Sequence, residues 1–216
     1  MIATRLKICC IASVDEMRLA VRYGASAVGL VSAMPSGPGP IDEALIAEIA
    51  SHVPPGVATF LLTCLQDSEA IIAQQRRTRA NTIQLCDRID PADYTRLRAA
   101  MPGVAIVQVI HVRDERSLAE ALAVAPHVDA LLLDSGNHSL AVKELGGTGR
   151  VHDWALSERI VRLVPRPVYL AGGLRPDNVA DAIRMVRPFG VDVCSGLRTA
   201  GRLDEGKLSA FVQAMC

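Results

Sequence analysis

The sequence predicts an α/β protein folded as a single (β/α)8 TIM barrel over residues 1–216. Three observations carry this expectation. Short apolar or β-branched runs alternate with longer segments of helical periodicity rich in Ala, Leu, Arg and Glu, the pattern of parallel strands joined by helices. The alternation repeats eight times with no linker or shift of composition, and eight units close naturally into a barrel, although 216 residues is at the short end for one. No G-x-G-x-x-G follows the first run, which disfavours the open doubly wound sheet.

The first strand is expected over Arg5–Ile11. A helix follows from about Val14 to Tyr23, with Ser13 as N-cap, Glu16 as its capping-box partner and Gly24 as the stop. The second strand, Ala25–Val31, runs into SAMPSGPGP, where Pro and Gly forbid regular structure, and a helix resumes over Ile41–His52. The third to fifth units pair Val57–Thr63 with a helix from Asp67 to Arg79, Thr82–Cys86 with Pro91–Met101, and Val104–Val112 with Asp114–Val124. The sixth strand, Val128–Leu133, ends at Asp134 and is followed by a long connection containing GGTG and a helix from Asp153. The seventh, Pro167–Leu170, leads through AGGL to a helix starting near Pro176, where a missing N–H costs nothing. The eighth, Val191–Cys194, leads through SGLRT to a last helix from Asp204.

Composition narrows the function. Lys plus Arg and Asp plus Glu are equal at 23 each, so no net positive field favours nucleic acid or an acidic membrane surface. Seven aromatic rings (three Phe, three Tyr, one Trp) are too few for a stacking platform, and suggest a barrel interior filled by layers of branched aliphatic side chains. No apolar stretch is long enough for a transmembrane helix and no secretory signal is visible, so a cytoplasmic location is expected. The six cysteines are scattered without a CxxC pair, which argues against a zinc site, and a chain this large with ample core and no visible export signal is expected to keep them as reduced thiols. Met17, Met101 and Met185 are expected to fill the core, and no surface stripe discloses an oligomer, although one is possible.

In a barrel of this kind, chemistry sits at the C-terminal strand ends. Gly172 and Gly173 after the seventh strand, and Ser195 and Gly196 after the eighth, are candidates for gripping a phosphate with backbone N–H groups, against the plainer reading that tight turns need Gly. Asp134, partly desolvated at the rim, suits a general acid, or else caps its turn. Lys7 and Cys9 lie two apart and share one face of the first strand, with Ile8 and Cys10 on the other. If that face points inward, a cation beneath Cys9 would favour its thiolate.

KIC at Lys7–Cys9, LLLDS at Leu131–Ser135, GGTGRVHDW at Gly146–Trp154, LAGGLRPDNV at Leu170–Val179, GVDVCSG at Gly190–Gly196 and the tail GRLDEGKLSAF together resemble the phosphoribosylanthranilate isomerase family of tryptophan biosynthesis, across most of the chain. The resemblance implies an Amadori rearrangement of an aminoaldose phosphate to an aminoketose phosphate, with no metal or organic cofactor. It implies Asp134 as general acid, Cys9 as general base, Gly172, Gly173, Ser195 and Gly196 on the phosphate, and Gly146, Gly147, Thr148 and Gly149 as a substrate-covering loop. The partner it implies is a phosphorylated small molecule, not nucleic acid or membrane.

Three positions depart from the family pattern. Cys10 stands where the family has Gly. SAMPSGPGPI lacks the Arg that pairs with the anthranilate carboxylate, and Cys86-Asp87 replaces His-Gly, adding a charge that would repel an anion. Arg198, Arg113 and His111 are possible substitutes for the missing cation. Two alternatives therefore stand beside the isomerase: a related enzyme acting on another phosphorylated substrate, and a non-catalytic barrel that binds a phosphorylated ligand.

Overall fold

The computed structural model describes residues 4–136, 143, 145 and 152–215. Eight parallel strands close into a barrel in sequence order: β1 (Arg5–Ile8), β2 (Ala27–Val31), β3 (Ala58–Thr63), β4 (Thr82–Leu85), β5 (Ala105–His111), β6 (Ala130–Asp134), β7 (Val168–Leu170) and β8 (Gly190–Val193). β8 pairs back to β1, with Lys7 directly opposite Asp192. The connecting helices are α1 (Val14–Arg22), α2 (Glu43–His52), α3 (Ser68–Thr78), α4 (Pro91–Ala100), α5 (Arg116–Val124), α6 (Trp154–Leu163), α7 (Val179–Val186) and α8 (Glu205–Ala214). Among the described residues no helix is long and apolar enough to cross a membrane.

Short polar caps start most of these helices. Ser13, Asp42, Asp67, Asp90, Asp153 and Asp204 each accept a hydrogen bond from a first-turn backbone N–H, satisfying donors that the helix itself cannot. Glu16 completes only half of the expected capping box. It accepts from the N–H of Ala12 (3.1 Å) rather than Ser13, because its carboxylate also serves the Leu203 N–H (2.9 Å) and Arg198. Burial works against that charge, but these donors together hold the Glu16 pKa below the usual range.

Two local readings are corrected. The seventh helix starts at Val179, not near Pro176, because Asn178 turns its side chain back, accepting from the Arg175 N–H (2.8 Å) and donating to the Gly173 carbonyl (3.0 Å). Residues after β8 form a 3-10 turn (Ser195–Leu197) and then a two-stranded ribbon, β9 (Arg198–Thr199) with β10 (Arg202–Leu203), before α8. Residues this short leave too little periodicity to be read from sequence.

The core divides into two layers, and the inner one adds cysteines and two rings to the branched aliphatic side chains expected there. Alternate strand residues such as Ile8, Val28, Leu30, Leu61, Ile83 and Ile110 face outward and pack under the helices. The inner cluster contains Val31, Leu62, Val107, Val109 and Leu132 together with Cys9, Cys86, Phe60 and Tyr169. Phe60 and Tyr169 meet edge to face with centroids 5.8 Å apart, so two of the few rings fill the barrel itself. Met17 and Met101 are buried as expected, but Met185 is 48% exposed and fills no core.

Lys7 and Asp192 bridge β1 and β8 inside the barrel, 2.8 Å apart and both buried. Burial disfavours the Lys7 ammonium, yet Asp192 and the Cys9 thiol outweigh it and raise its pKa above the ordinary value. Breaking one partner of such a pair strands a charge in low dielectric. Asp192→Leu is expected to cost about 3–5 kcal/mol in urea unfolding, and adding Lys7→Met should recover much of that loss.

Candidate active site

One cleft opens at the C-terminal end of the barrel and encloses about 690 Å³, counting the part open to solvent. Its lining includes Cys9 from β1, Gln84 and Cys86 from β4, Asp134 from β6, Gly172 and Gly173 after β7, and Asp192, Cys194 and Ser195 from β8 and its turn. Five of the six residues expected from sequence to do chemistry, Cys9, Asp134, Gly172, Gly173 and Ser195, therefore sit where the strands deliver them, while Gly196 does not line the cleft. A Cβ on Gly196 would lie 2.1 Å from the Leu174 carbonyl oxygen, so this glycine lets the eighth turn press against the seventh. Gly146, Gly147, Thr148 and Gly149 lie outside the described residues.

Asp134 closes β6 with its carboxyl buried, and its Oδ1 accepts from the Ser135 N–H (2.7 Å) and hydroxyl (3.4 Å). Burial disfavours the carboxylate and outweighs these donors, pushing the pKa from an ordinary 3.8 up to about 6. Such a group is a usable proton donor close to neutrality.

Cys9 follows β1 and is held by backbone on two sides. Its N–H donates to the Val193 carbonyl (2.9 Å), and its carbonyl accepts from Arg198 (3.3 Å). Gly29 of β2 makes room for it: a Cβ there would lie 2.9 Å from Cys9 Sγ and 3.1 Å from Lys7 Nζ. Lys7 does lie beneath Cys9 on the inward face, but Asp192 shares its charge, so a neutralised pair rather than a bare cation underlies the thiol.

Cys10 does not face outward with Ile8. β1 ends at Ile8, and Cys10 takes a left-handed backbone conformation (φ +61°), which swings its side chain into the cleft. No periodicity rule extends past the last paired residue of a strand.

None of the three proposed substitute cations lines the cleft. Arg198 is a clamp: it pairs with Glu16 (3.2 Å) and donates to the carbonyls of Gly201 (2.9 Å), Cys9 and Cys10, fixing the end of β1. His111 is buried with Nε2 3.1 Å from the Cys86 carbonyl oxygen, and Arg113 is exposed beyond β5. The expected repulsion from Asp87 is also corrected, since Lys143 forms an ion pair with it. Lys143 belongs to the connection after β6, and its carbonyl accepts from the Ser36 hydroxyl (2.6 Å) in the connection after β2. The pairing spans loops far apart in sequence, which no spacing discloses.

Two buried acceptors in the cleft, Gln84 Oε1 and Asp192 Oδ1, have no hydrogen-bond partner among the described residues. No cluster of three or more His, Cys, Asp or Glu among those residues is arranged to hold a metal ion.

Residues 6–214 match the profile of N-(5'-phosphoribosyl)anthranilate (PRA) isomerase. The chain is 38% identical over 210 residues to N-(5'-phosphoribosyl)anthranilate isomerase 2 of Methanosarcina mazei, covering 96% of this chain and 92% of that protein. It is 37% identical over 213 residues to the isomerase of Haloferax volcanii, covering 98% and 92%. Its backbone superposes on phosphoribosyl anthranilate isomerase from Thermotoga maritima with a TM-score of 0.84 at 28% identity, covering 98% of both chains. A second structure, with a TM-score of 0.81 at 26% identity and 98% of both chains covered, is of a phosphoribosyl anthranilate isomerase in complex with reduced 1-(o-carboxyphenylamino)-1-deoxyribulose 5-phosphate. With a closed eight-stranded barrel, a near-neutral carboxyl and a thiol meeting in one cleft, and these matches along nearly its whole length, the chain belongs to the phosphoribosylanthranilate isomerase family.

Proposed function

We propose that the chain catalyses the Amadori rearrangement of N-(5-phosphoribosyl)anthranilate in tryptophan biosynthesis, with Asp134 as general acid and Cys9 as general base. The observation that carries this is the convergence of Cys9 and Asp134, from β1 and β6, on one cleft, with the Asp134 pKa raised to about 6. Protonated Asp134 donates to the ribose ring oxygen, the C1′–O bond breaks, and the nitrogen lone pair forms the Schiff base. Cys9 then removes the C2′ proton, and the electron pair left behind neutralises the iminium to give an enolamine. Tautomerisation yields the aminoketose. Every proton has a donor or acceptor among these groups and water, so no cofactor is required.

The phosphate is assigned to the N–H groups of Gly172, Gly173 and Ser195, which line the cleft, and of Gly196, which does not line it but follows Ser195 in the same turn. Gly172 and Gly173 both have positive φ (84° and 63°), which presents backbone without a Cβ in the way. Ser195 and Gly196 open a 3-10 turn, whose first N–H groups have no partner within the turn itself. Gln84 Oε1 and Asp192 Oδ1 are suited to accept from ribose hydroxyls. The Gly146–Gly149 segment is assigned to covering the bound substrate. A cytoplasmic setting keeps Cys9 reduced for its role.

Lys143 is the group we assign to the anthranilate carboxylate in place of the missing arginine: it does not itself line the cleft, but its carbonyl accepts from Ser36, which does. Without substrate it rests on Asp87, and the substrate carboxylate competes for it. Lys143→Met is therefore expected to raise KM by roughly tenfold with little change in kcat, and Asp87→Asn to lower KM, because one charge-assisted contact is lost in the first case and released from competition in the second. An unchanged KM in steady-state kinetics of Lys143→Met would remove the lysine from this role.

The activity itself is tested by following the fluorescence decay of phosphoribosylanthranilate with purified protein, and by growth of a tryptophan auxotroph lacking this isomerase. Turnover and growth are expected. Failure of both would overturn the assignment and favour another phosphorylated substrate.

A further inference from the structure

Four cysteines, Cys9, Cys10, Cys86 and Cys194, line the cleft, and the mechanism uses only the first. Two of the others meet. Cys10 Sγ and Cys194 Sγ stand 2.6 Å apart, joining the end of β1 to the end of β8, although 184 residues separate them in sequence. Both are free thiols. That separation lies between the ~2.05 Å of a disulfide bond and an ordinary thiol hydrogen bond, which puts the two sulfurs within reach of each other.

The surroundings hold this contact in place. Cys10 has φ +61°, a conformation costly for a residue with a Cβ, and it is retained because the chain on both sides is tied down. Arg198 donates to its carbonyl, and its thiol lies 3.6 Å from the Pro38 carbonyl oxygen. Gly39 packs so closely that a Cβ there would come within 2.6 Å of Cys10 Cβ. The two thiols also differ in character. A hydrogen bond with Cys10, helped by the Arg198 charge, lowers the Cys194 pKa despite burial. The same contact, together with Cys9 and burial, raises that of Cys10. One thiol is thus poised to attack and the other to resolve.

We propose that Cys10 and Cys194 form an oxidisable dithiol at the mouth of the cleft, closed to a disulfide by a hydroperoxide and reopened by a dithiol reductant. The Cys194 thiolate attacks the peroxide, an S–O bond forms, the O–O bond breaks, and the departing hydroxide or alkoxide takes a proton. Cys10 then attacks the sulfenic sulfur, the S–S bond forms, and hydroxide leaves with the Cys10 proton as water. Two electrons pass from the thiols to one peroxide. Reduction reverses this by thiol–disulfide exchange. The bond would link the residue after the base Cys9 to the residue before the turn at Ser195, so oxidation lowers turnover by displacing both. That consequence, unlike the disulfide itself, rests on the isomerase reading.

The test treats the whole purified protein with hydrogen peroxide, maps disulfides by non-reducing peptide mass spectrometry, and assays activity before and after dithiothreitol. The expected result is a Cys10–Cys194 crosslink as the first product, with kcat/KM falling by roughly tenfold or more and recovering on reduction. Cys10→Ser and Cys194→Ser should each abolish the crosslink and the reversible loss, each judged against its own reduced activity. A first product at Cys9, whether sulfenic acid or a Cys9–Cys10 bond, would overturn the proposal, as would no crosslink at all. A crosslink in a protein that never turned over phosphoribosylanthranilate would leave the dithiol standing and refute the isomerase reading instead.

Discussion

Asp134→Asn is expected to lower kcat by about 10²–10⁴-fold while making the protein more stable at neutral pH. The two effects have one cause. Burial at the end of β6 raises the Asp134 pKa from 3.8 to about 6, so the folded state holds a proton that the unfolded chain gives up. Between those two values the unfolded state binds fewer protons, and stability falls as pH rises through that window. Above about pH 6 the folded protein carries a buried carboxylate it disfavours by roughly 3 kcal/mol relative to the unfolded chain. Asn keeps the shape and still accepts from the Ser135 N–H, but it has no charge to desolvate and no acidic proton to give. Urea unfolding at pH 4 and pH 8 separates the terms: the stability gain of the variant should be present at pH 8 and mostly gone at pH 4. In kinetics, the wild-type kcat/KM should decline as pH rises above about 6, and the variant should lose that limb. A purely structural aspartate capping its turn would predict the reverse, a less stable variant with an ordinary pH profile.

The parts of this arrangement that the sequence discloses are those governed by local rules. Strand ends were legible because apolar runs stop at Asp134 or at glycine pairs, and a barrel sends every such end to one rim. Helix starts were legible wherever a single Ser or Asp could cap them, as at Ser13 and Asp153. Illegible features depend on partners distant in sequence. Arg198 looks like a loose cation after β8 until Glu16 and the carbonyls of Cys9 and Cys10 surround it. Asp87 looks repulsive until Lys143 meets it. Asn178 looks like helix interior until its side chain turns back to Arg175 and Gly173. The barrel interior is legible only in part for a different reason: Val31, Leu62, Val107, Val109 and Leu132 do point inward, but Cys9, Cys86, Phe60 and Tyr169 share that layer, and which phase of a strand faces inward is set by the barrel and not by composition.

The proposed role of Cys9 as base offers the sharper test, because packing and chemistry predict opposite outcomes for a substitution of nearly equal size. Cys9 is 7% exposed, sits in the inner cluster beside Lys7 and leaves no room for a Cβ on Gly29. If it served only to fill space, Cys9→Ser would be a mild change in volume, costing about 1–3 kcal/mol for the buried hydroxyl and leaving turnover nearly intact in whatever fraction stayed folded. As general base it must ionise, and a serine hydroxyl does not do so near neutrality. Cys9→Ser and Cys9→Ala should then both lower kcat by about 10²–10⁴-fold with KM changed little, since the thiol touches the C2′ proton and not the phosphate or the carboxylate. Steady-state kinetics on the purified variants, alongside near-ultraviolet circular dichroism to confirm the fold, give the answer directly. A folded Cys9→Ser protein that retained a tenth or more of wild-type kcat would assign the proton transfer to another group, and Asp134 would have to account for the chemistry alone.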